Sequence, residues 1–405
     1  MTSTMRPIRE TITLEEARAL ILGEARPIDR IERVPLDAAG GRVLAVTAAA
    51  PADVPPFDRA AMDGYAVRAE DTFGATRHDP RTLRCLGTAF TGQMTGRSAG
   101  PGECVEIATG AAMPDGADAV VMVEETERRG DDVDVFAPVY PRQNVGRRGA
   151  DIAAGQTVLR AGDLLTPARV GALAACGASE ADVYTKPRVA IVSTGNEIVE
   201  PGQPLGPAQI YDINRYTLAA IVAAHGGDPV VRPAVPDSID DLCRAMDAAL
   251  DHDVVVFSGG SSVGERDLLL DAIARRGDVV FHGIAVKPGK PTALGRVAGK
   301  PVIGMPGNPT SCLSNGYILL VPLLRRMARL PEYRPSTVRV PLARRVVSTT
   351  GRHQFYTVRI ENGTAVPAFK GSGDITSMAL ADGYIEIPAQ VDLVDAGELV
   401  DVVLF

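Results

Sequence analysis

Three short stretches combine glycine, proline and charge in a way that could hold an anion. They are Ser258-Gly259-Gly260-Ser261-Ser262-Val263-Gly264-Glu265-Arg266-Asp267, Lys287-Pro288-Gly289-Lys290-Pro291 and Gly304-Met305-Pro306-Gly307-Asn308-Pro309. Small residues directly after a strand let backbone N–H groups approach an anionic ligand closely. Lys287 and Lys290 flank a Pro-Gly turn, so a rigid loop holds their stems. Glu197 and Asp267 read as strand-end carboxylates unaccompanied by Cys or His. Hard oxygen donors of that kind suit Mg²⁺ bridging phosphates. GGSSVG does not match G-x-G-x-x-G, and neither a Walker A motif nor a G-x-S-x-G elbow is present, so the chemistry is anion handling without a standard nucleotide fingerprint. Asp212, Asn214 and Asp237 are ambiguous at this level, because helix caps explain them almost as well.

The elements that must carry these loops follow from periodicity. Val254–Phe257 is a short β-branched run bounded by glycine, the pattern of a strand buried in a parallel sheet. Arg188–Val192, Val230–Pro233, Val279–Phe281 and Val302-Ile303 read as further strands. Helices are expected over Tyr216–Ala224, from Ser238 to Leu250, over Leu268–Arg275, and from Asn308 towards Met327. That alternation implies one doubly wound α/β domain, whose strand-end loops converge on one crevice. Thr13 with Glu16 reads as a capping box opening the first helix, and Thr166 as an N-cap with Pro167 at the first helical position. Residues from about 80 to 145 read as short strands of a small β domain, and those beyond Pro335 as a C-terminal β domain. The proline-rich stretch Pro51–Val67 reads as an ordered loop anchored by Phe57, Met62 and Tyr65.

Bulk composition excludes several classes. A chain of 405 residues predicts two to four domains. A net charge of −8 and the absence of Trp argue against a nucleic-acid binder. Five scattered cysteines with no C-x-x-C pair predict neither a zinc site nor a disulfide framework. The polar N-terminal residues and the lack of a long apolar run predict no signal peptide and no membrane span, hence a cytoplasmic protein.

Six motifs in order then carry a family resemblance over nearly the whole length. PPFDRAAMDGYAV (Pro55–Val67), IATGAAMPDGADAVVMVEET (Ile107–Thr126), STGNEIVEPGQPLGPAQIYDINRY (Ser193–Tyr216), SGGSSVGERD (Ser258–Asp267), KPGKPTALG (Lys287–Gly295) and GMPGNPTSCL (Gly304–Leu313) resemble the molybdopterin molybdenumtransferases of the MoeA type, related to the C-terminal part of gephyrin. The resemblance implies a multidomain α/β plus β chain. It would comprise an elongated N-terminal or linker domain (1–50 and 146–185), a small β-rich domain (51–145), a central MogA-like α/β domain (186–331) and a C-terminal β-barrel-like domain (335–405). It implies molybdenum-cofactor biosynthesis: adenylylated molybdopterin and molybdate as substrates, hydrolysis of the phosphoanhydride with release of AMP, and assistance from Mg²⁺. It also implies a homodimer with the cleft near the subunit junction, and transient contact with the molybdopterin adenylyltransferase and with cofactor-receiving proteins.

Residue by residue, the resemblance makes Asp63, Glu197, Asp267, Lys287 and Lys290 candidate catalytic residues, with Glu197 and Asp267 also the candidate Mg²⁺ ligands. Thr109, Asp151, Ser193, Thr194, Gly195, Asp237, Ser258, Gly259, Gly260, Gly264, Pro306, Gly307, Asn308, Pro309, Ser372 and Ser377 are the candidate substrate-binding residues. Two other readings compete. An adenylyltransferase would resemble the α/β segment alone, and the MDGYA segment with its flanking β segments argues against it. A scaffold role of the gephyrin kind finds no fused domain or long linker in this sequence.

Overall fold

The computed structural model describes residues 10–259 and 267–405, so Gly260 and Gly264 lie outside the described residues. The chain divides into two compact units, one of Met1–Glu32, Gly41–Val43 and Tyr184–Phe405, the other of Arg33–Gly40 and Leu44–Val183.

The larger unit is built on a six-stranded sheet. Its order is Asp228–Val231, Arg188–Ser193, Val254–Ser258, Lys300–Met305, Ala293–Val297 and Gly277–His282. The first four strands are parallel; in this sheet Ala293–Val297 runs opposite to the rest and pairs antiparallel with a neighbour on each side. The sheet is therefore mixed, and Ala293–Val297 is a strand the sequence reading passed over. Its short run, ALGRV, follows the lysine–proline loop directly and carries no β-branched pair to announce it. The continuous valine run at Val254 has a simple cause. Val254 and Val256 enter one core with Leu14, Leu218 and Leu319, while Val255 and Phe257 enter another with Leu242, Met246 and Leu269. A strand covered on both faces needs no polar alternation.

The helices follow their caps. Thr13 accepts from the Glu16 N–H, and the Glu16 carboxylate accepts from the Thr13 N–H, completing the capping box of Leu14–Glu24. Ser238 caps Ile239–Asp247, and Thr166 caps Pro167–Ala175. The long apolar helix after Asn308 is not continuous. It runs over Pro309–Asn315, widens into a π turn at Gly316–Leu320, and resumes over Val321–Met327. Pro322 is the physical reason: it has no N–H for the carbonyl of Ile318, and its ring crowds that turn. The Arg18 Nε donates to the Ile318 carbonyl at 3.4 Å instead.

A second sheet of this unit orders Val286–Lys287, His353–Glu361, Gly383–Ile387, Leu399–Leu404 and Thr337–Pro341, with Thr364–Pro367 beside His353–Glu361. Lys287 thus lies on an edge strand that pairs with the C-terminal β segment. One charged tie crosses the unit. Arg30 donates to both Asp253 oxygens at 2.9 and 2.7 Å, and the Arg188 N–H adds a third bond at 2.8 Å. Burial pushes the Asp253 carboxyl up, but the Arg30 guanidinium and the Arg188 N–H outweigh it and hold the group below the usual range.

The smaller unit holds a mixed sheet in the order Ala119–Met122, Gly64–Val67, Glu103–Ile107, Arg81–Ala89, Asp132–Val135 and Thr126–Arg129. Tyr65, Val67, Leu83, Cys85, Cys104 and Val133 form its core. All five cysteines are free thiols. Of the three expected anchors of the Pro51–Val67 stretch, Tyr65 is buried, while Phe57 and Met62 are exposed. The loop is tied instead by carboxylates. Asp53 accepts from the Ala154 N–H and from Arg148, and Asp58 from the Arg148 N–H and from Arg142. Among the described residues no helix is long and apolar enough to cross a membrane.

A depressed carboxyl adds stability that is complete above its unfolded value of about 3.9 and is lost as pH falls through the folded value. Arg30→Ala should therefore lower unfolding free energy by about 1–3 kcal/mol in urea titrations at pH 7. The gap to the parent protein should begin to narrow as pH falls below about 4 and close only below the depressed folded value. An unchanged urea midpoint would refute the tie.

Candidate active site

The carboxyl edge of the parallel strands concentrates buried polar groups that find no partner among the described residues. Ser193 and Ser258 end adjacent strands in register, and Met305 ends the next. The Ser193 and Thr194 hydroxyls, Asp237 Oδ1, Asp212 Oδ2 and Asn214 Oδ1 are buried without a hydrogen-bond partner among the described residues. Buried polar atoms without partners are costly, so their grouping at a strand-end crevice marks a place for a polar ligand.

Backbone geometry opens that crevice. Gly259 has φ +102°, and a Cβ there would overlap the Thr194 carbonyl oxygen. Gly307 approaches Gly259 from the next strand, where a Cβ would meet only the Gly259 Cα at 3.5 Å. Gly195, at φ +143°, lies under the Glu197 carboxylate. Asp237 is half-buried near Glu197. Burial pushes its carboxyl up first, and the Glu197 charge adds to the rise. The Thr194 hydroxyl pulls it back down, although it lies off the line of a full hydrogen bond.

The ambiguous residues now separate. Asp212 Oδ1 accepts from the Arg215 N–H at 3.1 Å, so it is a helix cap. Asn214 Nδ2 donates to the Gly307 carbonyl at 2.8 Å, fixing the Pro306–Pro309 turn. Asp237 is not the cap of its helix; Ser238 is.

Asp267 is not free of histidine. Its Oδ1 caps the following helix at the Leu270 N–H, at 3.2 Å, and its Oδ2 lies 2.9 Å from His282 Nε2. The ring nitrogen sits off the hydrogen-bond line. The sequence hides this neighbour because only the fold brings the end of Gly277–His282 to the same sheet edge as Ser258. Lys287 Nζ donates to Thr349 Oγ1 at 2.6 Å. The lysine loop is joined to the helix after Pro309 by Asn315, whose Nδ2 donates to the Gly289 carbonyl at 2.9 Å. Neither His282 nor Asn315 was singled out by sequence; for Asn315 the available signal was an amide inside an apolar helix.

The glycine–serine stretch of the C-terminal segment docks on that helix. Asn308 Nδ2 donates to Ser372 Oγ at 3.0 Å, the Thr310 N–H to the Ser372 carbonyl at 3.0 Å, and Thr310 Oγ1 to the Asp374 carbonyl at 2.9 Å. Ser377 is fully buried and accepts from the Lys370 N–H at 3.0 Å, so its hydroxyl supports the turn.

The smaller unit brings a second pair together. Asp63 Oδ1 accepts from the Thr109 N–H at 2.7 Å and from Thr109 Oγ1 at 2.9 Å. The N–H first, then the hydroxyl, hold the exposed Asp63 carboxyl below the usual range. Asp151 is exposed, and its own N–H donates to the Val54 carbonyl at 3.0 Å.

Comparison with known proteins decides the family. Residues 12–177 match the MoeA N-terminal region (domain I and II), 190–326 a probable molybdopterin binding domain, and 339–405 the MoeA C-terminal region (domain IV). Molybdopterin molybdenumtransferase 2 of Mycobacterium tuberculosis is 38% identical over 393 residues, covering 94% of this chain and 95% of that protein. The chain belongs to the molybdopterin molybdenumtransferase family. Another relative, the molybdopterin molybdenumtransferase of Haemophilus influenzae, is 33% identical over 96% of this chain and 98% of its own. A solved structure of a molybdopterin biosynthesis MoeA protein from Pyrococcus horikoshii superimposes with a TM-score of 0.83 at 41% identity, covering 98% of this chain and 99% of that one. The expected MogA-like α/β architecture with β segments on either side is the fold of this family.

Two substitutions test the local geometry. Gly259→Ala should cost about 1–3 kcal/mol in thermal or urea unfolding, whereas Gly307→Ala should be nearly neutral, and equal effects would contradict the crowding at Thr194. Thr109→Val keeps the N–H bond and removes the hydroxyl. The Asp63 carboxyl should rise part-way to its ordinary value in an NMR titration, and an unmoved titration curve would remove the hydroxyl from the account.

Proposed function

We propose that this protein inserts molybdate into adenylylated molybdopterin, hydrolysing the phosphoanhydride and releasing AMP with the help of Mg²⁺. Its coarse role, a molybdenum-transferring enzyme of molybdenum-cofactor biosynthesis, comes with family membership. The observation that carries the finer reading is the set of buried hydroxyls and carboxyl oxygens at the sheet edge without a partner among the described residues, beside the glycine turns and the lysine loop. Splitting a phosphoanhydride needs neutralisation of charge on the transferring phosphoryl oxygens. Lys287 and Lys290 serve that need and hold the molybdate dianion. Ser193, Thr194, Asp237, Ser258, Gly259 and the Pro306–Pro309 turn bind the substrate, with Gly195, Gly260, Gly264, Thr109, Asp151, Ser372 and Ser377 in supporting contacts. Asp63 is the candidate acid, presented with a lowered carboxyl.

The residues present fit Mg²⁺ in one manner. Among the described residues no cluster of three or more His, Cys, Asp or Glu side chains could hold a metal ion alone. Mg²⁺ commonly takes one or two carboxylates and completes its shell with phosphate oxygens and water. Glu197 and Asp267 would be those carboxylates, and the ion would supply charge neutralisation at the phosphates. The same reading includes a cytoplasmic homodimer, passing contact with the adenylyltransferase and with cofactor-receiving proteins, and working domains of 1–50 with 146–185, 51–145, 186–331 and 335–405.

Purified protein mixed with adenylylated molybdopterin, Mg²⁺ and molybdate should release AMP only when molybdate is present. Asp63→Asn and Asp267→Asn should each slow that release by about 10²-fold or more. AMP release indifferent to molybdate would sink the proposal, and full activity in both variants would remove the assigned acids.

A further inference from the structure

Asn315 ties together two of the loops, and nothing in the proposed reaction uses it directly. It ends the helix that the Pro306–Pro309 turn begins, and it is completely buried. Its Nδ2 donates to the Gly289 carbonyl at 2.9 Å and to Thr292 Oγ1 at 2.5 Å. Thr292, also completely buried, donates its hydroxyl to the same Gly289 carbonyl at 2.9 Å. The Lys290 carbonyl in turn accepts from the Ile284 and Thr292 N–H groups at 3.0 and 2.9 Å. Gly289 has φ +108°, and a Cβ there would lie 2.5 Å from the Asn315 amide. The backbone between the two lysines is therefore clamped at its midpoint by a side chain from another element.

Two features of the helix adjoin this contact. The π turn Gly316–Leu320 begins immediately after Asn315, and such wide turns recur where a helix serves a functional position. A Cβ at Gly316 would lie 2.8 Å from Ile221, so the helix is pressed against the neighbouring Asn214–Ala224 helix at this point. An amide in an apolar helix that spends both donor hydrogens on one loop fixes that loop rather than merely filling space.

We infer that Asn315 is a positioning residue, holding the Lys287–Lys290 backbone so that the two lysines meet the molybdate dianion in the required geometry. This rests on the proposed reading that those lysines take the oxyanion. Misplacement by an ångström of groups that receive a reactant costs up to about two orders of magnitude.

Asn315→Leu tests the inference, because leucine keeps the branched shape, with bulkier methyl groups, and loses the donor. KM for molybdate should rise about tenfold, with KM for adenylylated molybdopterin changed by less than about twofold. Equilibrium dialysis of molybdate against the variant should show the same loss without turnover. A space-filling role would leave molybdate affinity intact. Thr292→Val, which removes the second donor to the Gly289 carbonyl, should shift molybdate affinity in the same direction by less, and it decides the question if Asn315→Leu does not fold. Parent protein that neither binds molybdate nor releases AMP with it overturns the underlying reading and this one with it. Parent protein that does both, beside folded variants with unaltered molybdate affinity, overturns the positioning role alone.

Discussion

The central parallel strands are covered on both faces, and they must end somewhere. Where they end, at Ser193 and Ser258, hydroxyl and carboxyl groups are buried without partners among the described residues. In a low-dielectric setting each such group is a cost the fold carries until something hydrogen-bonds to it. The rest of the larger unit is arranged around that edge. Gly259 lets the backbone turn under Thr194, Asn214 fixes the Gly307 carbonyl, and Ser372 supplies the carbonyl that satisfies Thr310.

The second determinant is one proline. Pro322 interrupts the i to i−4 ladder of a long apolar helix, and Arg18 takes up the carbonyl that would otherwise lack a partner. The wide turn that results follows directly on Asn315, whose amide holds the lysine loop. That loop also belongs to a second sheet through the pairing of Lys287 with Gln354. The lysines are thus constrained from two directions, by the helix and by the C-terminal sheet. Such over-determination is what a site needs if its cations are to meet an oxyanion without reorganising.

The smaller unit works by charge rather than by apolar anchoring. Asp53, Asp58 and Asp63 each accept a backbone N–H from a distant loop. Prolines deprive the stretch before Gly64 of ladder bonds, and carboxylates substitute for them. Two of the aromatic and thioether side chains that looked like anchors, Phe57 and Met62, are left exposed. Asp63 differs from its neighbours: among the described residues its carboxylate has no guanidinium partner and is held by Thr109.

Much of this was determined by local sequence. Buried strands announced themselves by β-branched runs, helices by their capping residues, and the anion loops by glycine, proline and lysine at close spacing, because each of these signals acts over a few residues. The six ordered motifs pointed to the family for the same reason: each preserves one turn chemistry. What only the tertiary structure decided was long-range. His282 reaches Asp267 because its strand ends at the same sheet edge, Asn315 reaches Gly289 because the helix after Pro309 packs beside the lysine loop, and Ser377 is turned inward although nearby Ser372 is not. The antiparallel strand Ala293–Val297 is likewise decided by its partners rather than by its own residues. A sequence pattern encodes which face of an element is apolar; it does not encode which distant element will stand opposite a given polar atom, since that depends on how the packed layers meet.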